Sequence, residues 1–93
     1  MPQTTVTRKV TLTNAYGLHA RPAALFVELC NRFQSEVKVH LDENQVSGKN
    51  ILNIMTLGAG PGAELELVVT GSDAEQAAAA LVELVEGKFG EET

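Results

Sequence analysis

The hydrophobic pattern of this chain switches repeatedly between a period of two residues and a period near 3.6, which limits the folds open to it. Val6 to Leu12 alternates, with Val6, Val10 and Leu12 on one face and Thr7, Lys9 and Thr11 on the other. Arg8 falls on the apolar side, which suggests a frayed strand end. Glu36 to Leu41 alternates again, Val37, Val39 and Leu41 inward and Lys38 and His40 outward. Asp42-Glu43-Asn44 is turn-forming, and Gln45-Val46-Ser47 returns as a hairpin strand that Gly48-Lys49 breaks. Ala63 to Thr70 points Leu65, Leu67 and Val69 inward and Glu64 and Glu66 outward, and Gly71 ends it.

The intervening segments read as helices. From Ala20 to Gln34 the residues Pro22, Ala23, Phe26, Leu29, Cys30 and Phe33 form one apolar stripe, while Arg21, Ala24, Glu28, Asn31 and Arg32 point away. Pro22 suits a first turn, where its missing N–H has no partner to lose. Asn50 reads as the N-cap of a short helix, Ile51 to Leu57, ended by Gly58; Ile51, Ile54 and Leu57 share a face from which Leu52 and Met55 diverge. Ser72-Asp73-Ala74-Glu75 has capping-box spacing with Ser72 as cap. The helix after it runs to about Glu86, stops at Gly87, and presents Ala74, Ala78, Leu81 and Val85 to a core. Gly90 to Thr93 are expected to fray. The order is βαββαβα. Because three strands keep a polar face, the expectation is an α+β fold, one antiparallel sheet with helices on one side and water on the other.

Ninety-three residues without a linker or repeat suggest a single domain, residues 1–93. Cys30 stands alone and cannot form an internal disulfide, which favours a reducing compartment. No apolar run approaches the roughly 18 residues of a membrane span, and the N-terminus lacks a signal-peptide pattern, so a soluble cytoplasmic protein is expected. Twelve acidic against seven basic side chains give a net charge of −5, which argues against nucleic acid as a partner. Two histidines without a carboxylate or cysteine at ligand spacing make a poor metal site, and no cofactor is implied. His40 reads as a solvated strand residue and Cys30 as inert core packing. Gly58-Ala59-Gly60-Pro61-Gly62 precedes a strand rather than a helix and lacks a following Lys-Ser/Thr, so it reads as a plain turn and not a phosphate loop.

Gly17-Leu18-His19-Ala20-Arg21-Pro22 is the segment with chemistry in it. It sets a histidine where a turn becomes a helix, at unpaired backbone N–H groups and a partial positive charge that together attract phosphate. Arg21 adds a fully charged phosphate ligand, and Gly17 allows a sharp turn. His19 is then either a cap or turn residue without chemistry, or a nucleophile for covalent transfer beside an anion site formed by the amides of Ala20 and Arg21. No Ser, Cys or carboxylate stands beside it in sequence, and no second acid or base is evident to activate a water, which weakens a hydrolase reading. Ala20, Ala24, Leu25 and Glu28 of the first helix, with Ile51, Leu52 and Met55 of the second, form a candidate partner-docking patch.

Gly17-Leu18-His19-Ala20-Arg21-Pro22-Ala23, followed by Val46 to Gly58 (Val-Ser-Gly-Lys-Asn-Ile-Leu-Asn-Ile-Met-Thr-Leu-Gly), resembles HPr, the histidine-containing phosphocarrier family of the bacterial phosphoenolpyruvate-dependent phosphotransferase system. The resemblance covers about Val6 to Phe89. It implies an open-faced β-sandwich with sheet order 1-4-2-3 and three helices on one face. It also implies a phosphoprotein that carries a phosphohistidine and is not a stand-alone enzyme. Enzyme I would pass a phosphoryl group, originating in phosphoenolpyruvate, to Nδ1 of His19, with Arg21 stabilising it, and an enzyme IIA would receive it for sugar uptake. A monomer is expected. The alternative on the same fold is a regulatory module whose partner, a regulatory protein, reads its phosphorylation state. Two departures from the family pattern stand out. Asn50 occupies the position where many Gram-positive members carry a regulatory serine. The face after Arg21 carries Glu28 and Asn31, with Arg32 to its side, where some relatives display lysines, which alters the charge offered to an acidic partner.

Overall fold

A computed structural model of the protein describes residues 3–91. The alternating segments form four strands, β1 (Thr4–Thr11), β2 (Glu36–Leu41), β3 (Asn44–Ser47) and β4 (Glu64–Gly71), in one antiparallel sheet ordered β1-β4-β2-β3. The helical segments form α1 (Ala20–Cys30), α2 (Ile51–Thr56) and α3 (Ala74–Glu86), which cover one face of it. The open-faced sandwich and its strand order are those expected. Register explains the core: Val69 of β4 lies between Val6 of β1 and Val37 of β2, and Leu67 pairs with Val39, so the inner face of β4 and β2 is apolar at the centre of the sheet. These side chains are buried with Phe26 of α1, Ile54 of α2, and Leu81 and Val85 of α3. Each large apolar side chain buried this way contributes about 1.5–3 kcal/mol before the entropy of ordering it is subtracted.

Several expectations need correction. Arg8 is not at a frayed end; it sits mid-strand opposite Leu67. β1 is an edge strand, and Arg8 borders an open furrow with Ala79, Val82 and Glu83 of α3 while its guanidinium donates to the Thr7 carbonyl at 2.9 Å. Helix α1 stops at Cys30 and not at Gln34. Side chains from elsewhere serve the backbone beyond that point: Lys49 Nζ donates to the Phe33 carbonyl at 2.8 Å, and the Asp73 carboxylate accepts from the Gln34 and Ser35 amides at 2.9 Å each. That use of Asp73 also undoes the capping box. Asp73, not Ser72, is the N-cap of α3, and its carboxylate turns away from the helix to Gln34 and to Ser35, whose hydroxyl it also accepts. Of the expected inner face of α2, Ile54 is buried and Leu57 partly so, whereas Ile51 is exposed. Finally, Gly90 and Glu91 are not frayed. After α3 a 3-10 turn over Lys88–Gly90 buries Phe89 and returns the chain to the sheet-top loops. Residues 92 and 93 lie outside the described residues.

Candidate functional site

The loop between β1 and α1 is shaped by a backbone that only glycine accommodates. Gly17 has φ +63°, and a Cβ there would lie 2.5 Å from the carbonyl oxygen of Ala59. The same carbonyl accepts the Leu18 amide at 2.9 Å, and Gly62 N–H donates to the Leu12 carbonyl at 2.7 Å. The Gly58–Gly62 segment is thus a brace under residues 12–18. Its role is to fix the position of the following residue, His19.

His19 is the N-cap of α1, with extended backbone (φ −74°, ψ −176°), and its carbonyl accepts the Ala23 amide at 2.9 Å. Its ring makes no capping bond, so the imidazole is left for other uses. Ala20 and Arg21 have no carbonyl within the helix to receive their amides, and Pro22 has no amide, so the positive end of α1 leaves two N–H groups without helical partners in the residues that follow His19. Arg21 is exposed and turned to solvent; Pro22 and Ala23 are buried and anchor the turn. The imidazole is 38% exposed, and Tyr16 stands edge-on to it with ring centres 5.9 Å apart.

A carboxylate that no local pattern announces stands at this ring. Glu91 Oε2 lies 3.0 Å from His19 Nε2, across 72 residues of sequence. Its other oxygen accepts from Asn14 Nδ2 at 2.9 Å; Asn14 is fully buried and donates from the same nitrogen to the Gly17 carbonyl at 2.8 Å. The Asn14 hydrogen bond, followed by the hydrogen bond and charge of His19 and the charge of Arg21, holds the Glu91 carboxyl below its ordinary range against the opposing effect of desolvation. Neither Asn14 nor Glu91 was singled out from sequence. A buried asparagine three residues before the site glycine is a weak signal, and a contact spanning the whole domain leaves none.

Ala20, Ala24 and Glu28 are exposed on α1 and Leu25 is half-buried; Leu25 and Glu28 also border a furrow shared with Leu84 of α3. On α2, which packs against α1, Leu52 is 71% exposed, Met55 44% and Ile51 39%. Asn50 caps α2, its side-chain oxygen accepting the Asn53 amide at 3.1 Å. Burial pushes the Cys30 thiol up to about 12, so this cysteine is core packing and not a nucleophile. His40 lines a polar depression of about 630 Å³ on the open sheet face with Lys9, Asp42, Glu64 and Glu66, bordered by the Gly58–Gly62 segment. Among the described residues no three His, Cys, Asp or Glu side chains gather to hold a metal, and no helix is long and apolar enough to cross a membrane.

Comparison with known proteins agrees with this geometry. The family described as PTS HPr component phosphorylation site matches residues 6–87. Phosphocarrier protein HPr of Treponema pallidum (strain Nichols) is 44% identical over 87 residues, covering 94% of this chain and 99% of that protein. HPr-like protein Crh of Halalkalibacterium halodurans is 40% identical over 81 residues, covering 87% and 96%. A crystal structure of HPr-C-His from Thermoanaerobacter tengcongensis superposes with a TM-score of 0.87 at 44% identity over all of both chains. An exposed imidazole at the mouth of α1, on a sheet ordered β1-β4-β2-β3 and with relatives matched from end to end, leaves one assignment: the chain belongs to the HPr family, the phosphocarrier proteins of the phosphotransferase system.

Proposed function

We propose that His19 is the residue that takes up and releases the phosphoryl group, and that Arg21 and the amides of Ala20 and Arg21 compensate its charge. The supporting observation is the N-cap imidazole that does not cap: the ring stands half-exposed at the helix mouth with its Nε2 engaged by Glu91, which leaves Nδ1 for phosphorus. Transfer between two proteins requires positioning and electrostatics more than covalent machinery. Two backbone donors and one arginine stabilise a phosphoryl group in transit without trapping it.

Enzyme I is the proposed donor and an enzyme IIA the acceptor, each docking on the surface of Ala20, Ala24, Leu25, Glu28, Ile51, Leu52 and Met55. Leu52 and Met55 are the most exposed large apolar side chains of that surface and suit contacts made and broken with successive partners. We place this cycle in the cytoplasm, with the chain acting as a one-domain monomer. Incubation with enzyme I and phosphoenolpyruvate should add one acid-labile phosphoryl group to the protein and none to His19→Ala. Equal labelling of that variant would remove His19 from the mechanism. Arg21→Ala should fold normally and be phosphorylated at least about tenfold more slowly, the loss of one charge-assisted contact.

A further inference from the structure

We propose that Glu91 is a positioning residue for this transfer: its carboxylate, anchored by buried Asn14, fixes the His19 proton on Nε2 and so directs the Nδ1 lone pair outward as the nucleophile. The inference rests on His19 being the acceptor. It follows from hydrogen-bond chemistry. An ionised carboxylate only accepts, so the 3.0 Å contact between Glu91 Oε2 and His19 Nε2 requires the proton to reside on Nε2. The tautomer of a histidine is set by the partner of one ring nitrogen, which determines the chemistry open to the other.

The carboxylate does not reach this position by chance. Asn14 Nδ2 holds its second oxygen at 2.9 Å, and the asparagine is locked by its own bond to the Gly17 carbonyl. Phe89, buried two residues earlier, fixes the approach of the chain, at the cost of left-handed backbone at Lys88 and Phe89 (φ 56° and 57°). The groups facing the ring are Glu91 from the C-terminal segment, Tyr16 from the loop and, acting on Glu91 through its charge, Arg21 from α1.

The Nδ1 lone pair forms the N–P bond as the bond from phosphorus to the donor breaks, and that electron pair leaves with the donor. No proton needs to depart, because Nε2 keeps its hydrogen throughout. The ring therefore becomes cationic, and the carboxylate beside Nε2 compensates the charge. Delivery to the acceptor runs the same steps in reverse and returns the neutral Nε2–H ring. One side chain thus orders the nucleophile before transfer and stabilises the charge after it.

The test compares wild type, Glu91→Ala and Glu91→Gln by ring nitrogen-15 NMR of His19 and by the rate of phosphorylation with enzyme I and phosphoenolpyruvate. Wild type should show the proton confined to Nε2. Glu91→Ala should share it between the two nitrogens and accept phosphoryl about tenfold more slowly. Glu91→Gln keeps one accepting oxygen where the carboxylate serves two donors, Asn14 Nδ2 and His19 Nε2; with that oxygen held by Asn14 its amide faces Nε2, so the proton should move towards Nδ1 and the rate should fall at least as far as in Glu91→Ala. A wild-type proton on Nδ1, or a tautomer and rate unchanged in Glu91→Ala, overturns the proposal. Failure of the underlying reading is separately visible, because it would appear as undiminished labelling of His19→Ala whatever the tautomer.

Discussion

At the scale of single residues, the site depends on positions with no side-chain chemistry of their own. Gly17 is the clearest case: any larger residue must both hold φ near +63° and place its Cβ 2.5 Å from a backbone oxygen that cannot withdraw without losing the Leu18 amide. Gly17→Ala should therefore cost about 2 kcal/mol or more, read from chemical denaturation, and should slow phosphorylation because His19 shifts with the loop. The glycine, the histidine and the arginine were all legible in sequence, since each is tied to a local event, a turn becoming a helix. Glu91 was not. Its partner lies 72 residues away, and no local pattern reports an approach created only when the last helix docks.

Among the secondary-structure elements, the strands, the Asn50 cap of α2 and the end of α3 at Glu86 were legible, whereas the end of α1 and the cap of α3 were not. Strand pattern follows from which face is buried, and the sheet register bears out the alternation of Val37, Val39, Leu65, Leu67 and Val69. Helix ends depend on which groups claim the last backbone donors and acceptors. Asp73 shows this: a side chain that spacing places in a capping motif instead ties the chain entering β2 to the start of α3. The Ser35 hydroxyl first, then the Gln34 amide, lower its pKa from the ordinary 3.8 against a smaller desolvation effect. A carboxyl with a depressed folded-state pKa stabilises fully above its unfolded value, and that contribution is lost as pH falls through the folded value. Wild type should accordingly lose this stabilisation below about pH 4, whereas Asp73→Asn should be weaker at pH 7 and show a flatter decline on acidification. Denaturant melts of both proteins at pH 7 and pH 3 would measure it, and parallel pH profiles would contradict it.

For the molecule as a whole, the α+β architecture was legible because a half-wet sheet with period-3.6 connections has few ways to bury its apolar face. The closing segment was not, because it obeys no period. Lys88 and Phe89 adopt left-handed backbone without being glycine, a strain that burial of Phe89 in the core offsets. Phe89→Ala should cost about 3 kcal/mol in denaturant melts and release Glu91 from His19, so that the ring loses its fixed tautomer although neither residue has changed. Retention of the Glu91 contact in that variant would show that Asn14 suffices to hold it.

The brace under the histidine carries a consequence for how such a chain can diverge. Surface connections ordinarily absorb insertions and deletions with little penalty. Here the stretch from Gly58 to Gly62 is bonded at Ala59 to Leu18 and at Gly62 to Leu12, on either side of the turn that presents the imidazole. Adding or removing one residue would break one of those two attachments whatever amino acid was used. Relatives that keep the chemistry should vary in composition along this stretch, but its length should stay constant.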